Sequence, residues 1–152
     1  TNAANNKVCA DAVKFVYKNS YTDIIIDNGD PSCVLTGTWG TSTSGGYDGD
    51  YAFANPGSGS IKATWTPAIP ISGNYEVFAY YTTSSTRATN APYTVTYIDG
   101  STTVPVNQQI NGGKWVSIGT YSFGQGTSGK VVLTNAANNK VCADAVKFVY
   151  KD

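Results

Sequence analysis

The sequence predicts an all-β protein, an antiparallel β-sandwich of the jelly-roll type. Short segments alternate apolar and polar residues, as in SIKATWT, where Ile61, Ala63 and Trp65 are separated by polar side chains. Clusters of Gly, Asn, Asp and Pro punctuate these segments at regular intervals. No stretch spaces its apolar residues as an amphipathic helix does. Together these features predict about eight to ten short strands.

The predicted elements follow one another with few ambiguities. In chain order the strands are TDIIID, CVLTGTW, SIKATWT, NYEVFAYYT, the pair PYTVTYI and STTVPV, KWVSIGTYSF, and two strands within residues 130–151. Residues 40–60 are predicted to form a long polar loop. Asp99 and Gly100 predict a type I′ hairpin turn, because both central positions of that turn require positive φ.

Composition excludes several classes of function. The net charge is zero and only 13% of residues are charged, so the chain has no electrostatic footprint for nucleic acid. No apolar run approaches the roughly 20 residues that cross a bilayer, so we expect no membrane insertion. With no His and no G-x-S-x-G motif, we expect neither catalysis nor a cofactor. The abundance of Thr, Ser, Gly, Asn and Tyr indicates an extracellular or cell-surface β-protein.

The chain carries its own last element twice. Residues 1–18 recur without change as residues 134–151, which predicts a duplicated terminal strand at 1–18, a linker at 19–22 and a domain at 23–152. The repeat is a junction between tandem copies, a strand donated to a neighbour, or an experimenter's addition. An unpaired apolar strand tends to aggregate, so we expect another sheet to accept it. The predicted assembly positions are Val8, Ala10, Val13, Phe15 and Tyr17 with Val141, Ala143, Val146, Phe148 and Tyr150.

The chain has three cysteines, but Cys9 and Cys142 occupy the same position in the two copies, so each repeat has two. An even number permits one disulfide in an oxidising compartment. Cys33 bonded to Cys142 would join the ends of one domain, and Cys33 bonded to Cys9 would bind the duplicated strand. Two buried free thiols are the alternative.

Candidate ligand-binding residues lie in the predicted loops. Tyr47, Tyr51 and Phe53 could cover the apolar face of a sugar, whereas the three tryptophans lie in strand-like motifs and are expected in the core. Arg87 is the only arginine; the favoured interpretation is a structural fork that clamps a loop carbonyl or a carboxylate, and the alternative is that it binds an acidic sugar. Asn107, Gln108, Gln109 and Asn111 could bond sugar hydroxyls.

Four aspartates are weak candidates for calcium binding, since Ca²⁺ takes six to eight oxygen ligands. They are Asp27, Asp30, Asp48 and Asp50. The favoured interpretation is that their segments, DNGDP and YDGD, are turns in which Asp bonds its own backbone. We therefore predict no metal site.

Several motifs resemble one known family. They are GTW (37–39), ATWTP (63–67), ATNAPYTV (88–95), VNQQINGGKWVSIGTYSF (106–123) and ADAVKF (143–148), and they are similar in order to the golvesin C-terminal-like domain. This domain is found appended to xanthan lyases and other secreted bacterial enzymes. The resemblance implies a β-sandwich accessory domain that is presumed to bind carbohydrate. It implies no catalytic residues, because catalysis in such proteins lies in other domains.

The duplication leads to a structural interpretation of function. We predict a repeat module of an extracellular, self-assembling or tandem-repeat bacterial surface or filament protein, joined to neighbouring copies through its terminal strand. The alternative is a non-catalytic carbohydrate-binding accessory domain of a secreted protein, with polysaccharide as its partner.

Overall fold

The computed structural model describes residues 11–14 and 21–151, and regular structure within them is almost entirely β. One short 3₁₀ turn, Tyr47–Gly49, interrupts the strands. The strands are β1 (Ile24–Ile26), β2 (Cys33–Thr36), β3 (Gly40–Ser42), β4 (Tyr51–Ala54), β5 (Lys62–Trp65), β6 (Gly73–Ala79), β7 (Ala91–Tyr97), β8 (Gly100–Val106), β9 (Val116–Phe123), β10 (Lys130–Thr134), β11 (Val141–Ala143) and β12 (Val146–Lys151). No helix among these residues is long and apolar enough to cross a membrane.

The strands form a sandwich of antiparallel sheets, which confirms the predicted fold class. One sheet has the order β1-β12-β6-β9 and the other has the order β2-β5-β10-β7-β8. A smaller sheet, β11-β4-β3, adjoins them. Alternation along each strand explains the arrangement, since β6 and β7 bury every second side chain.

Buried side chains from all three sheets form one core. Tyr75, Phe123 and Phe148 meet edge to face, with ring centroids 5.9 Å apart for the first pair and 5.5 Å apart for the second. Trp65 is fully buried, as predicted, and it stacks on Tyr93, whereas Trp39 and Trp115 are only partly buried. Such aromatic pairs stabilise a core by about 0.5–1.5 kcal/mol beyond the area they bury.

The C-terminal copy of the repeat is used within its own fold. β12 lies between β1 and β6 and pairs antiparallel with both, so it has no free edge. Val146 and Phe148 are fully buried. In the N-terminal copy, Val13 is 79% exposed, and the predicted assembly positions Val8, Ala10, Phe15 and Tyr17 lie outside the described residues.

The segment 141–150 is not the single assembly strand that was predicted. It divides into β11 and β12, because the chain passes from the small sheet to the four-stranded sheet at Asp144 and Ala145. Asp144 is 1% exposed and accepts backbone hydrogen bonds from Tyr47 N–H at 3.0 and 3.1 Å. The carboxyl group therefore bonds the backbone of another segment at the point where strand pairing changes.

The predicted polar loop at 40–60 was also wrong in part, because it contains β3 and β4. Ala52 and Ala54 are buried on one face of β4. Glycine in β3 and alanine in β4 weaken the strand signal, and these strands of three and four residues are short enough to be hidden among the surrounding glycines.

The hairpin of β7 and β8 is confirmed, but its predicted turn is not. Tyr97 pairs with Gly100, so Ile98 and Asp99 are the two loop residues. Gly100 has φ of 142°, whereas Asp99 is not among the residues of positive φ. A type I′ turn needs positive φ at both central residues, so this turn is of another type.

Of the two disulfide pairings that the sequence left open, the one between Cys33 and Cys142 is not formed, and both residues are free thiols. Cys33 opens β2 in the five-stranded sheet, whereas Cys142 lies in the small sheet. Burial raises the pKa of the Cys33 thiol to about 12, and that of the Cys142 thiol is also raised. The predicted partner Cys9 lies outside the described residues.

We predict that Phe148→Ala lowers the free energy of unfolding by about 3–5 kcal/mol, because it leaves a cavity in the aromatic core. Phe15→Ala is the matched control, since both phenylalanines have the same neighbours in sequence. It should change stability by less than about 0.5 kcal/mol, because Phe148 fills the core position. Urea denaturation measures both. Equal losses for the two variants would contradict the assignment of the core position to the C-terminal copy.

Candidate ligand-binding cleft

An open cleft of about 520 Å³ lies between the small sheet and the chain that follows β6. β3 and β4 supply one wall, and residues 82–87 supply the other. Lys140, immediately before β11, also lines it. Of the four predicted ligand-binding residues, the structure brings together Tyr51, Phe53 and Arg87 in this cleft.

Strand alternation places the aromatic side chains of the cleft. Tyr51 and Phe53 are two residues apart on β4, so they share a face, while Ala52 and Ala54 occupy the buried face. Their ring centroids are 6.4 Å apart. Phe53 pairs with Gly40 of β3, and its ring occupies the space that a β-carbon at Gly40 would need. A side chain at position 40 would displace this wall of the cleft.

Two cations stand beside the aromatic rings. Arg87 is only 6% exposed, and its guanidinium carbon lies 5.0 Å from the centroid of the Tyr51 ring and 5.9 Å from that of Phe53. The Lys140 ammonium lies 5.8 Å from the Phe53 centroid. These distances are within the range of cation–π attraction. The cleft therefore combines apolar ring surface with positive charge.

Hydroxyl groups make up most of the remaining lining. They belong to Thr41, Ser42, Ser44, Thr82, Thr83, Ser84 and Thr86. Hydrogen bonding with Ser42 lowers the pKa of Tyr51, and the charge of Arg87 acts in the same direction. The Arg87 guanidinium donates to Thr82 Oγ1 at 3.3 Å. The lining thus offers many neutral donors and acceptors around the charged group.

Main-chain contacts place Arg87 and Lys140 on neighbouring segments of the chain. Arg87 and Lys140 form an isolated parallel β-bridge, and Ala88 N–H donates to the Lys140 carbonyl at 2.7 Å. Gln109 Nε2 donates to the Arg87 carbonyl at 2.9 Å and to the Ser85 carbonyl at 3.1 Å. The segment that carries Arg87 is therefore tied to β11 and to the loop after β8.

A buried side-chain amide fixes β11. Gln108 is fully buried; its Nε2 donates to the Cys142 carbonyl at 2.8 Å, and its Oε1 accepts from Cys142 N–H at 2.8 Å. Nε2 also donates to the Tyr93 hydroxyl at 3.0 Å. Gln108 was predicted to bond sugar hydroxyls. That prediction was wrong, because the amide is already bonded within the core.

Tyr47 lies away from the cleft lining. Its ring packs on Trp115 and Tyr80, with centroids 5.2 and 5.7 Å away. Its backbone N–H donates to Asp144. Tyr47 was predicted to share a site with Tyr51 and Phe53. That prediction was wrong, because Tyr47 lies in the turn Tyr47–Gly49 and does not line the cleft.

The aspartates that were weak calcium candidates lie in or next to two turns. Asp27 N–H donates to Asp30 Oδ2 at 2.8 Å, and Asp30 N–H donates to the Asp27 carbonyl at 3.1 Å. Asp48 lies in the 3₁₀ turn with φ of 53°, and Asp50 accepts from Asn28 Nδ2. Among the residues that the structure describes, no three acidic, His or Cys side chains are arranged to hold a metal ion.

Lys140 is the main cleft residue that the sequence did not reveal. It lies in an Asn-rich turn whose sequence indicates only a connection between strands. Its place beside Arg87 depends on the bridge between segments far apart in the chain. The hydroxyl residues were equally hidden, because threonine and serine are common throughout the sequence.

Comparison with known proteins identifies a family. A family model described as the Golvesin C-terminal domain matches residues 24–150. A xanthan lyase from Bacillus sp. (strain GL1) is 39% identical over 134 residues, which cover 83% of this chain. The chain spans only 14% of that relative's length.

Solved structures agree with the fold. The structure of a Paenibacillus xanthan lyase matches 86% of this chain with a TM-score of 0.82 and 42% identity, and the match covers 13% of that chain. A family 35 carbohydrate binding module from an environmental isolate matches 83% of this chain and 92% of its own, with a TM-score of 0.61. At 11% identity, the second likeness concerns the fold alone.

We predict that stability depends on the ionisation of Asp144. Burial raises its pKa from 3.8 to about 8, and the charges of Asp27 and Asp50 act in the same direction. The folded state therefore binds a proton that the unfolded state releases. The free energy of unfolding should fall as pH rises from about 4 to about 8 and level off above that range.

Urea denaturation across this pH range checks the prediction. Asp144→Asn retains a carbonyl that can accept from Tyr47 N–H, and its stability should vary much less with pH. Asp99→Asn, in the exposed hairpin turn, is the matched control and should follow the parent chain. Identical pH profiles for the parent and Asp144→Asn would contradict the role given to this carboxyl group.

Proposed function

The chain belongs to the Golvesin C-terminal domain family, and we propose that it binds carbohydrate without catalysing a reaction. The observation that carries this proposal is the cleft, which is lined by Tyr51, Phe53 and Arg87 together with several hydroxyl-bearing side chains. Sugar-binding sites need apolar surface for C–H groups and a few placed polar groups for hydroxyls. The cleft provides both in an open form that an extended polymer can enter.

The lining also supports binding rather than hydrolysis. Most glycoside hydrolases use a pair of carboxylates on either side of the scissile bond. Among the described residues that line the cleft there is no Asp or Glu. The relatives are consistent with an accessory role, because this chain corresponds to about one seventh of a xanthan lyase. The proposal places the domain outside the cell, where polysaccharides are encountered.

Polysaccharide affinity tests the proposal. Affinity electrophoresis through gels containing xanthan, mannan or galactan should show retardation of the chain in at least one gel. Tyr51→Ala should weaken that binding at least about tenfold, because it removes a ring from the cleft wall. Tyr47→Ala is the matched control and should bind normally, since its ring packs outside the cleft.

Circular dichroism should show that both tyrosine variants remain folded. Binding that Tyr47→Ala abolishes and Tyr51→Ala spares would move the site to the surface around Trp115. No retardation in gels or in a wider glycan array would refute carbohydrate binding.

We also propose a second role, as a module in a chain of tandem copies. The unchanged repeat of residues 134–151 at 1–18 is the observation that favours it. Because β12 is paired on both sides within its own fold, the repeat fits a junction between copies better than a strand donated between molecules. Such a chain would display several clefts, and multiple sites raise the avidity for a polymer.

Light scattering distinguishes a junction from strand donation. The full chain and a version lacking residues 1–18 should both be monomeric at high protein concentration. Oligomers or filaments formed only by the full chain would contradict the junction and support donation of the first copy to a neighbour.

A further inference from the structure

We propose that the cleft recognises an acidic saccharide, with a carboxylate of the sugar bound between Arg87 and Lys140. This inference rests on the proposed function and specifies its ligand class. The two residues line the same cleft, and a β-bridge joins their main chains. Neither belongs to an ion pair in the described part of the chain, where the salt bridges join Lys147 to Asp23 and Lys151 to Glu76.

The burial of Arg87 is the stronger argument for a bound anion. Buried charges are normally paired, because desolvation of an unpaired cation is costly. Arg87 is only 6% exposed, and its Nε has no hydrogen-bond partner. Its contacts with Thr82, Tyr51 and Phe53 involve neutral groups only. The fold therefore maintains a nearly buried guanidinium without an anion of its own.

The backbone also brings the two cationic residues to the same part of the cleft. The β-bridge and the hydrogen bond from Ala88 N–H to the Lys140 carbonyl place the two residues beside each other. Adjacent cations repel unless an anion lies between them. An arginine fork matches the two oxygens of a carboxylate, and a lysine adds a point charge. A bound carboxylate would supply the anion that neither residue has in the described part of the chain.

The surroundings favour a sugar acid over other anions. The chain has zero net charge, so the positive cleft is a local feature and not part of an extended basic surface for nucleic acid. Hydroxyl residues border the cations on both walls, including Ser42 on β3 and Thr83 after β6. They can bond the hydroxyls of the same saccharide whose carboxylate meets Arg87. Tyr51 and Phe53 supply contact surface for its C–H groups.

The experiment compares one polysaccharide with and without its acid groups. Isothermal titration calorimetry is carried out with xanthan fragments and with the same fragments after carboxyl reduction, which converts each acid to a neutral alcohol. The parent chain should bind the reduced fragments at least about tenfold more weakly, as expected for the loss of a charge-assisted hydrogen bond. Binding to native fragments should also weaken as salt is added.

Variants assign the effect to the two cations. Lys140→Gln should weaken binding to native fragments about tenfold and should bind native and reduced fragments more nearly alike. Lys130→Gln, an exposed lysine on β10, is the matched control and should bind as the parent does. Arg87→Lys keeps the charge but removes the fork, and it should also lose affinity for the native fragments.

The outcomes separate this inference from the function on which it rests. Equal binding of native and reduced fragments by the parent chain, with loss of binding in Tyr51→Ala, would overturn acid recognition and leave carbohydrate binding intact. Preference for a sulfated glycan over every carboxylated one would also overturn it. Absence of binding to any polysaccharide would refute both proposals together.

Discussion

The side-chain amide of Gln108 forms the backbone hydrogen bonds that a neighbouring strand would otherwise form with β11. That strand is only three residues long and lies at the edge of its sheet, so Cys142 has a backbone N–H and a carbonyl with no strand beside them. Gln108 bonds both of these groups from within the core. A buried backbone group without a hydrogen bond costs about 1–3 kcal/mol, and Gln108 prevents this cost for both groups of Cys142. Because β11 pairs with β4, the amide also holds the strand that carries Tyr51 and Phe53.

The cleft is thus assembled from short strands that would be unstable alone. β3, β4 and β11 have three or four residues each, and such strands depend on the surrounding core. Asp144 bonds the backbone of Tyr47, in the turn between β3 and β4. Gln108 bonds the backbone of Cys142 in β11. The positive charge of Arg87 is placed on that scaffold by main-chain hydrogen bonds, so the geometry of the cleft does not depend on an ion pair.

Alternation of apolar and polar residues was sufficient to predict the long strands. It identified β6 and β7, because each is seven residues long and buries every second side chain along most of its length. It failed for β3 and β4, where small and hydroxyl side chains gave no clear period. Arg87 was found because it is the only arginine, whereas Lys140 could not be, since nothing local records its contact with a segment so distant in sequence. Gln108 was wrongly predicted to bind a ligand. The sequence cannot distinguish a glutamine whose amide bonds the backbone from one whose amide binds a ligand.

The pairing of β1 with β12 has a mechanical consequence. These first and last strands are antiparallel neighbours, and the rings of Tyr21 and Tyr150 lie 4.8 Å apart where the chain enters and leaves the domain. A domain whose two ends meet projects sideways from a polypeptide to which it is joined and does not lengthen it. Tension along that polypeptide would open the hydrogen bonds between β1 and β12 one after another, as a zipper opens, and not all at once. Such a domain would yield to weak pulling and extend.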